Sequence, residues 1–178
     1  EAAVPQGRLL GSSSSSGLQE DGASLTKFST STGWNAGNFS VRTLEGDGYL
    51  GFGSADPNNS SVYIGFTTNA NEGFNFSQTT LDFAFYLNNG SVAVVENNST
   101  VYSGPNYGLG DQLRIERSGA GIRYYKNSTL LYTSTEAVVG PLYVDTSFNT
   151  TASQLNEVYL FSTGEYELSA PFVVNTAG

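Results

Sequence analysis

From Leu25 onward, apolar and polar residues alternate in short runs separated by polar turns. The runs are LTKFST, NFSVRTL, GYLGFG, SVYIGFTT, TLDFAFYL, SVAVVE, STVYSG, DQLRIER, GIRYYK, TLLYTST, PLYVDTSF and NEVYLFST. The breaks between them, such as GDG, DPNNS, NNG, ENNS, GLGD and SGAG, carry the Asn, Asp and Gly that turns require. In TLDFAFYL, Leu81, Phe83 and Phe85 fall on one face while Asp82, Ala84 and Tyr86 fall on the other, the period of a half-buried strand. No helix-period segment exceeds two turns. About twelve short strands joined by polar turns predict an all-β fold, an antiparallel β-sandwich or jelly roll.

The stretch GDQLRIERSGAGIRYYKNSTLLYTS supports a register prediction. A two-residue turn at Gly119-Ala120 places Ser118 opposite Gly121, Glu116 opposite Arg123, Ile115 opposite Tyr124 and Arg114 opposite Tyr125. That gives an opposite-charge pair and a cation over an aromatic ring on one face. A second turn at Asn127-Ser128 places Tyr124 opposite Leu131 and Tyr125 opposite Leu130. The two hairpins form a meander.

This same stretch, with PLYVDTSF after it and TGWNAGNFS and GDGYLGF before it, resembles concanavalin A-like sandwich modules of the SPRY-related kind, which recur in large secreted and surface-exposed proteins. The resemblance spans about Leu25 to Thr163. It implies the concanavalin A-like fold and an association with glycan binding and adhesion, and it carries no catalytic residues. The family usually has glycine after the turn asparagine. Here Ser128 stands there, and a type I′ turn would strain it.

The matched region sets the domain reading: a Ser-rich extension over 1–22, a sandwich over 23–163 and a C-terminal strand over 164–178. EAAVPQGRLLGSSSSSGLQEDG reads by composition as a linker. In YELSAPFVV, Leu168, Ala170, Phe172 and Val174 alternate beyond the end of the sandwich. Such a strand either closes its own sandwich or adds to a neighbour's sheet edge. Val4, Leu9, Leu10, Leu168, Phe172 and Val174 are the apolar residues expected to join neighbouring subunits, and contacts of this kind that do not close build a fibre.

Composition narrows the function. The 178 residues lack Cys, His and Met, which removes thiol chemistry, disulfides, the usual zinc ligands and a Ser-His-Asp triad. A chain lacking an initiator methionine is expected to be processed or a fragment, with a removed secretion signal the simplest account. Seven basic against sixteen acidic residues give a net charge of −9, which argues against a nucleic-acid partner. No apolar run reaches the ~20 residues of a membrane-spanning helix. Nine of the sixteen Asn open an N-x-S/T sequon: Asn38, Asn58, Asn59, Asn75, Asn89, Asn97, Asn98, Asn127 and Asn149. Chance placement of Ser and Thr would give roughly four. Turns and strands enrich these residue types for structural reasons, yet the excess favours real N-glycosylation of an extracellular or cell-surface chain. A glycan at a hairpin tip such as Asn127 points away from the core.

Candidate ligand residues are aromatic. Trp34, the one tryptophan, either stacks on a sugar face or plugs the sandwich core, and packing is the favoured reading. Tyr107 in the loop SGPNYGLG is the better exposed aromatic. Asp47, Asp56 and Asp111 sit in turns that account for them without calcium, whereas Asp145 lies within an apolar strand and needs a hydroxyl or amide partner. Glu165 and Glu167 have the i, i+2 spacing of a glycosidase pair but stand outside the matched region and read as solvated charges. No cofactor or metal is expected. The leading expectation is a non-enzymatic, glycosylated structural or adhesive subunit that self-assembles through its terminal extensions. The alternative is a carbohydrate-binding, lectin-like module.

Overall fold

The computed structural model describes residues 12–54, 56–72 and 77–163. Its strands are β1 (Ser12–Ser16), β2 (Leu18–Asp21), β3 (Ser24–Lys27), β4 (Gly37–Leu44), β5 (Gly48–Ser54), β6 (Ser61–Thr67), β7 (Phe83–Asn88), β8 (Ser91–Glu96), β9 (Ser99–Ser103), β10 (Gln112–Ser118), β11 (Gly121–Lys126), β12 (Thr129–Thr133), β13 (Leu142–Phe148) and β14 (Gln154–Ser162). A 3₁₀ turn at Gln78–Thr80 interrupts them. The twelve runs that alternate in sequence are β3 to β14. They pair antiparallel into two seven-stranded sheets: sheet A in the order β12-β11-β10-β5-β14-β3-β2, and sheet B in the order β1-β4-β13-β6-β7-β8-β9.

Alternation decides what lies between the sheets. Leu50 and Phe52 of sheet A meet Ile64, Phe66, Phe85 and Val144 of sheet B, all fully buried. Phe85 stands edge-on to Phe52 at 5.9 Å and to Tyr124 at 5.3 Å. Each such ring removes a large apolar area from water, and the edge-on geometry sets the positive rim of one ring against the negative face of the other.

Two cationic side chains are buried, and their partners explain why the fold tolerates them. Lys27 Nζ donates to the carbonyls of Gly33 (2.9 Å) and Asn149 (2.7 Å) and to Asn35 Oδ1 (2.8 Å). Arg117 spends its guanidinium on the carbonyls of Gly119, Leu44 and Gly140 at 3.1, 3.1 and 2.7 Å. Both cations are satisfied by backbone oxygens and tie loops to strand ends.

The β10–β11 register is the predicted one throughout, with Ser118 opposite Gly121, Glu116 opposite Arg123 and Arg114 opposite Tyr125. The β11–β12 register is half as predicted. Tyr125 faces Leu130, but Tyr124 faces Tyr132, because a bulge inserts Leu131 between the two pairs. The bulge lets Leu131 and Tyr132 both pack against the core. At the hairpin tip Asn127 takes φ 53° while Ser128 stays out of the left-handed region, so the strain expected of a type I′ turn at serine does not arise.

The bulge has a counterpart. In β8–β9, Val95 faces Thr100 and Val94 faces Tyr102, with Val101 inserted. Val94 corresponds to Tyr124, Val95 to Tyr125 and Tyr102 to Tyr132, a constant offset of 30 positions that also holds across β7–β8 and β10–β11. The meanders β7-β8-β9 and β10-β11-β12 therefore repeat one design on opposite sheets, and Tyr102 and Tyr132 stack at 6.1 Å where their edge strands meet.

The serine run departs from expectation. Instead of a linker, Ser12–Ser16 pairs with β4 of the same chain, and Leu18–Asp21 pairs with β3. Gly17, at φ 64°, crosses from sheet B to sheet A, and a Cβ there would lie 2.9 Å from that of Ala36. A run of identical residues shows no alternation, so its strand character was invisible to pattern reading. The predicted assembly residues Val4, Leu9, Leu10, Leu168, Phe172 and Val174, the carboxylates Glu165 and Glu167, and the sequon at Asn75 lie outside the described residues.

Candidate functional site

The outward face of sheet A carries a trench that begins with the sequence of β5. In Gly48–Ser54, Leu50 and Phe52 point to the core, so Tyr49, Gly51 and Gly53 point out. The outward glycine Gly51 leaves the backbone of this central strand bare, whereas Gly53 is buried against Gln112. A Cβ at Gly51 would find its nearest neighbour, the Tyr49 ring, at 3.6 Å, so that floor is open. The neighbouring strands supply the walls, and the ladder places them in rows. One row reads Leu130, Tyr125, Arg114, Gly51, Tyr159 from β12 to β14. The next reads Arg123, Glu116, Tyr49, Phe161.

Tyr49 and Phe161 stack at 4.4 Å, and Tyr159 stands 6.1 Å from Phe161. The Arg114 guanidinium lies 5.1 Å from the Tyr49 ring and 4.2 Å from the Tyr125 ring, which holds it between them. These rings, with Gln112, Asn127 and Glu157, enclose a cavity of about 330 Å³. Glu157 reaches the trench because a bulge in β14 sets it at φ 52°, and its carboxylate accepts a short hydrogen bond from the Gln112 amide. Beyond that bridge a second cavity of about 540 Å³ continues over Gly53 to Leu109 and Asn156. The whole is an elongated cleft with apolar ring faces at one end and amides and carboxylates along it.

The rim is held by Asp111. Its carboxylate accepts from Asn127 Nδ2 and from the Gly108 N–H, both at 2.9 Å, and pairs with Lys126 at 3.1 Å. The Asn127 amide leads these partners in holding the acid down to about 2.

The sequence-level candidates fare unequally. Tyr107 is not an exposed loop aromatic. It is buried in the core, its hydroxyl in a short hydrogen bond with that of Ser60 and its N–H donated to the Gly90 carbonyl at 2.9 Å. The loop turns inward and the ring closes one end of the sandwich. Trp34 is half-buried and lies outside the core cluster, edge-on to Tyr63 at 5.1 Å and to Tyr86 at 6.1 Å on the outward face of sheet B. Neither residue lines the trench.

Of the sequons, Asn58, Asn89, Asn97, Asn98 and Asn127 are exposed, Asn59 and Asn149 half-buried and Asn38 fully buried. Thr146 Oγ1 donates to Asn38 Oδ1 at 2.6 Å, so a glycan has no room there in the folded chain. Asp47 and Asp56 serve turns by accepting the Gly119 and Asn58 N–H groups at 2.6 and 3.0 Å. Asp145 sits on the outward face of sheet B, opposite Gly65, and takes the hydroxyl of Thr80 at 2.7 Å. No group of three or more metal-ligating side chains occurs among the described residues.

Sequence reasoning missed the trench. Its one legible signal was the alternation of glycine on the outward face of GYLGFG. Nothing in the sequence aligned Gln112 with Glu157, which only the bulge in β14 brings together.

No protein-family description matches the chain, and no curated protein matches it in sequence. Solved structures do. The SPRY domain of human HERC1 superposes with a TM-score of 0.63 at 14% identity, covering 88% of this chain and 99% of that one. The carbohydrate-binding module CBM66 from Bacillus subtilis gives 0.56 at 10% identity, covering 86% and 97%. The exoplasmic/lumenal domain of VIP36, in a Ca²⁺- and mannose-bound form, gives 0.58 at 7% identity, covering 83% and 80%. With two antiparallel seven-stranded sheets and these neighbours, the chain has the concanavalin A-like β-sandwich fold that SPRY domains and lectin-type modules share.

Proposed function

We propose that this chain is a non-catalytic, carbohydrate-binding module of a secreted protein, and that the trench on sheet A is its binding site. The observation that carries the reading is the trench itself: a glycine floor walled by Tyr49, Tyr159 and Phe161 and edged by Gln112, Asn127 and Glu157. Sugar rings present apolar C–H faces and a rim of hydroxyls. Aromatic faces accept the former, and amides and carboxylates hydrogen-bond the latter with directional specificity. The cleft continues into a second cavity, which suits a chain of sugars better than a single one.

Several features support this reading over others. Carbohydrate-binding proteins are among the structures that share the fold. The carboxylates of the trench are committed, Glu157 to Gln112 and Glu116 to Arg114 and Arg123, which favours binding over acid–base chemistry. The sequon excess, with Asn58, Asn89, Asn97 and Asn98 exposed, supports an extracellular, glycosylated setting. The fibre-forming role expected of the terminal extensions finds less support, since residues 12–21 pair within their own sandwich.

A glycan array followed by calorimetry on the best hit tests the proposal. The wild-type chain should bind, and Gly51→Val should abolish binding while keeping the fold. Valine suits a strand and meets no close contact at Cβ, yet its methyls fill the floor. An empty array, or hits that survive Gly51→Val, would refute the site.

A further inference from the structure

Two arginines of β10, three residues apart, are used in opposite ways. Arg117 turns inward and spends its donors on three carbonyls. Arg114 turns outward, is pinned between two aromatic rings and makes no hydrogen bond among the described residues. Its Nε is a buried side-chain nitrogen without a hydrogen-bond partner, and its ion pair to Glu116 is long, at 3.7 Å. Glu116 is also shared with Arg123, again at 3.7 Å. A guanidinium carries five donors in a rigid fork; here the Nε–H is buried without an acceptor, while the side chain is 32% exposed and its Nη groups make no hydrogen bond among the described residues. A planar cation held between two rings, with its Nη donors unspent, beside a cleft of ligand size is preorganised for a planar anion.

The placement of charge points the same way. The chain bears −9 overall, and among the described cations Lys27 and Arg117 are buried on carbonyls while Lys126 is paired with Asp111. Arg42 stands on β4 of the other sheet. The outward face of sheet A thus holds two arginines sharing Glu116, so the cations not buried or paired elsewhere on this sheet gather beside the trench. Glu157 lines the same cavity beside Tyr159 and repels an anion there. A charged ligand is therefore oriented with its carboxylate at Arg114 and hydroxyls toward Glu157.

We propose that Arg114 makes the trench selective for acidic saccharides, binding the carboxylate of a uronate residue in a glycan chain whose rings lie against Tyr159 and Phe161. This rests on the trench being a glycan site. The guanidinium pairs with the carboxylate in the fork geometry that a neutral sugar cannot offer.

Calorimetry with three probes tests it: an oligogalacturonate, the same oligomer reduced at its carboxyls to the neutral sugar, and poly-glutamate. The wild-type chain should bind the oligogalacturonate at least ten-fold more tightly than the reduced oligomer and should not bind poly-glutamate. In Arg114→Gln the two saccharides should bind equally, at the affinity of the reduced one, while Arg114→Lys should keep part of the preference. Equal affinities in the wild type, a preference that survives Arg114→Gln, or poly-glutamate binding as tight as the uronate would overturn the assignment. Binding of the reduced oligomer without preference sinks only the role of Arg114. Binding of no saccharide sinks the glycan site with it. Thermal melts check that each variant folds, and if Arg114→Gln does not, the wild-type comparison together with Arg114→Lys decides.

Discussion

Arg114 and Tyr125 are partners across the β10–β11 ladder, and the guanidinium carbon lies 4.2 Å from the centre of the tyrosine ring. The contact joins a charge to a ring face in a half-exposed setting, where such pairs contribute about 0.5–1 kcal/mol. A double-mutant cycle with Arg114→Gln and Tyr125→Leu, read by chemical denaturation, should return a coupling of that size. A coupling of zero would mean that the ring merely covers the arginine stem.

Asp145 sets a pH dependence. It is 1% exposed, and burial pushes its pKa up to about 7 despite the hydroxyl of Thr80 and the backbone N–H of Thr146. The folded chain then binds this proton more tightly than the unfolded chain, whose aspartate titrates near 3.9. The unfavourable ionisation is absent below that lower value, grows as pH rises and is complete above about 7. Its contribution therefore reduces stability between pH 4 and 7 by an amount on the order of a few kcal/mol. Asp145→Asn keeps an acceptor for Thr80 and should raise the melting temperature at pH 8, with little change at pH 4. Equal shifts at both pH values would contradict the burial account.

Gly65 is required by strand spacing. A Cβ there would lie 1.9 Å from the Phe83 carbonyl oxygen and 2.7 Å from the Ala84 Cα, both backbone atoms of β7. Gly65→Ala should force β6 and β7 apart and cost more than about 3 kcal/mol, giving insoluble protein or a large drop in melting temperature. Gly22→Ala, with open space around it, should cost far less and only through its φ of 57°.

Arg117 links three loops through their carbonyls. Arg117→Met fills much of the same volume but leaves the oxygens of Leu44, Gly119 and Gly140 short of a donor. Each loss costs about 1–3 kcal/mol where water cannot replace the bond. Denaturant unfolding should show a fall of several kcal/mol, and amide exchange should rise first at Gly119 and Gly140.

Sequon use should follow exposure. In chain secreted from a glycosylating host, peptide mapping should find glycans among Asn58, Asn89, Asn97 and Asn98 and none at Asn38, whose side chain is sealed against Thr146. Asn127 is exposed, but its amide is bonded to Asp111 and lines the trench, so a glycan there should weaken saccharide binding.

Much of the fold was legible because it rests on period-two alternation. That pattern marked β3 to β14, and turn chemistry at Gly119-Ala120 fixed the β10–β11 ladder down to the Arg114–Tyr125 pair. It failed where local sequence carries no alternation or where an extra residue shifts the count. The serine run gave no pattern, and the Leu131 bulge moved Tyr132 opposite Tyr124. The site was less legible. A tyrosine in the loop SGPNYGLG carries the pattern of an exposed residue, whereas the burial of the Tyr107 ring and its bond to Ser60 are tertiary events. The trench depends on which residues four separate strands set side by side, and no single stretch of sequence records that.

Since the floor of the trench is the β5 backbone at Gly51, the proposed site would draw nothing of its preference from the sandwich interior. Leu50 and Phe52 hold the strand from beneath, while the flanking side chains stand above it. If the trench binds glycan as proposed, replacing Arg114, Gln112, Glu157 or Tyr159 would retune preference without repacking anything inside, and new selectivities would be accessible by single steps.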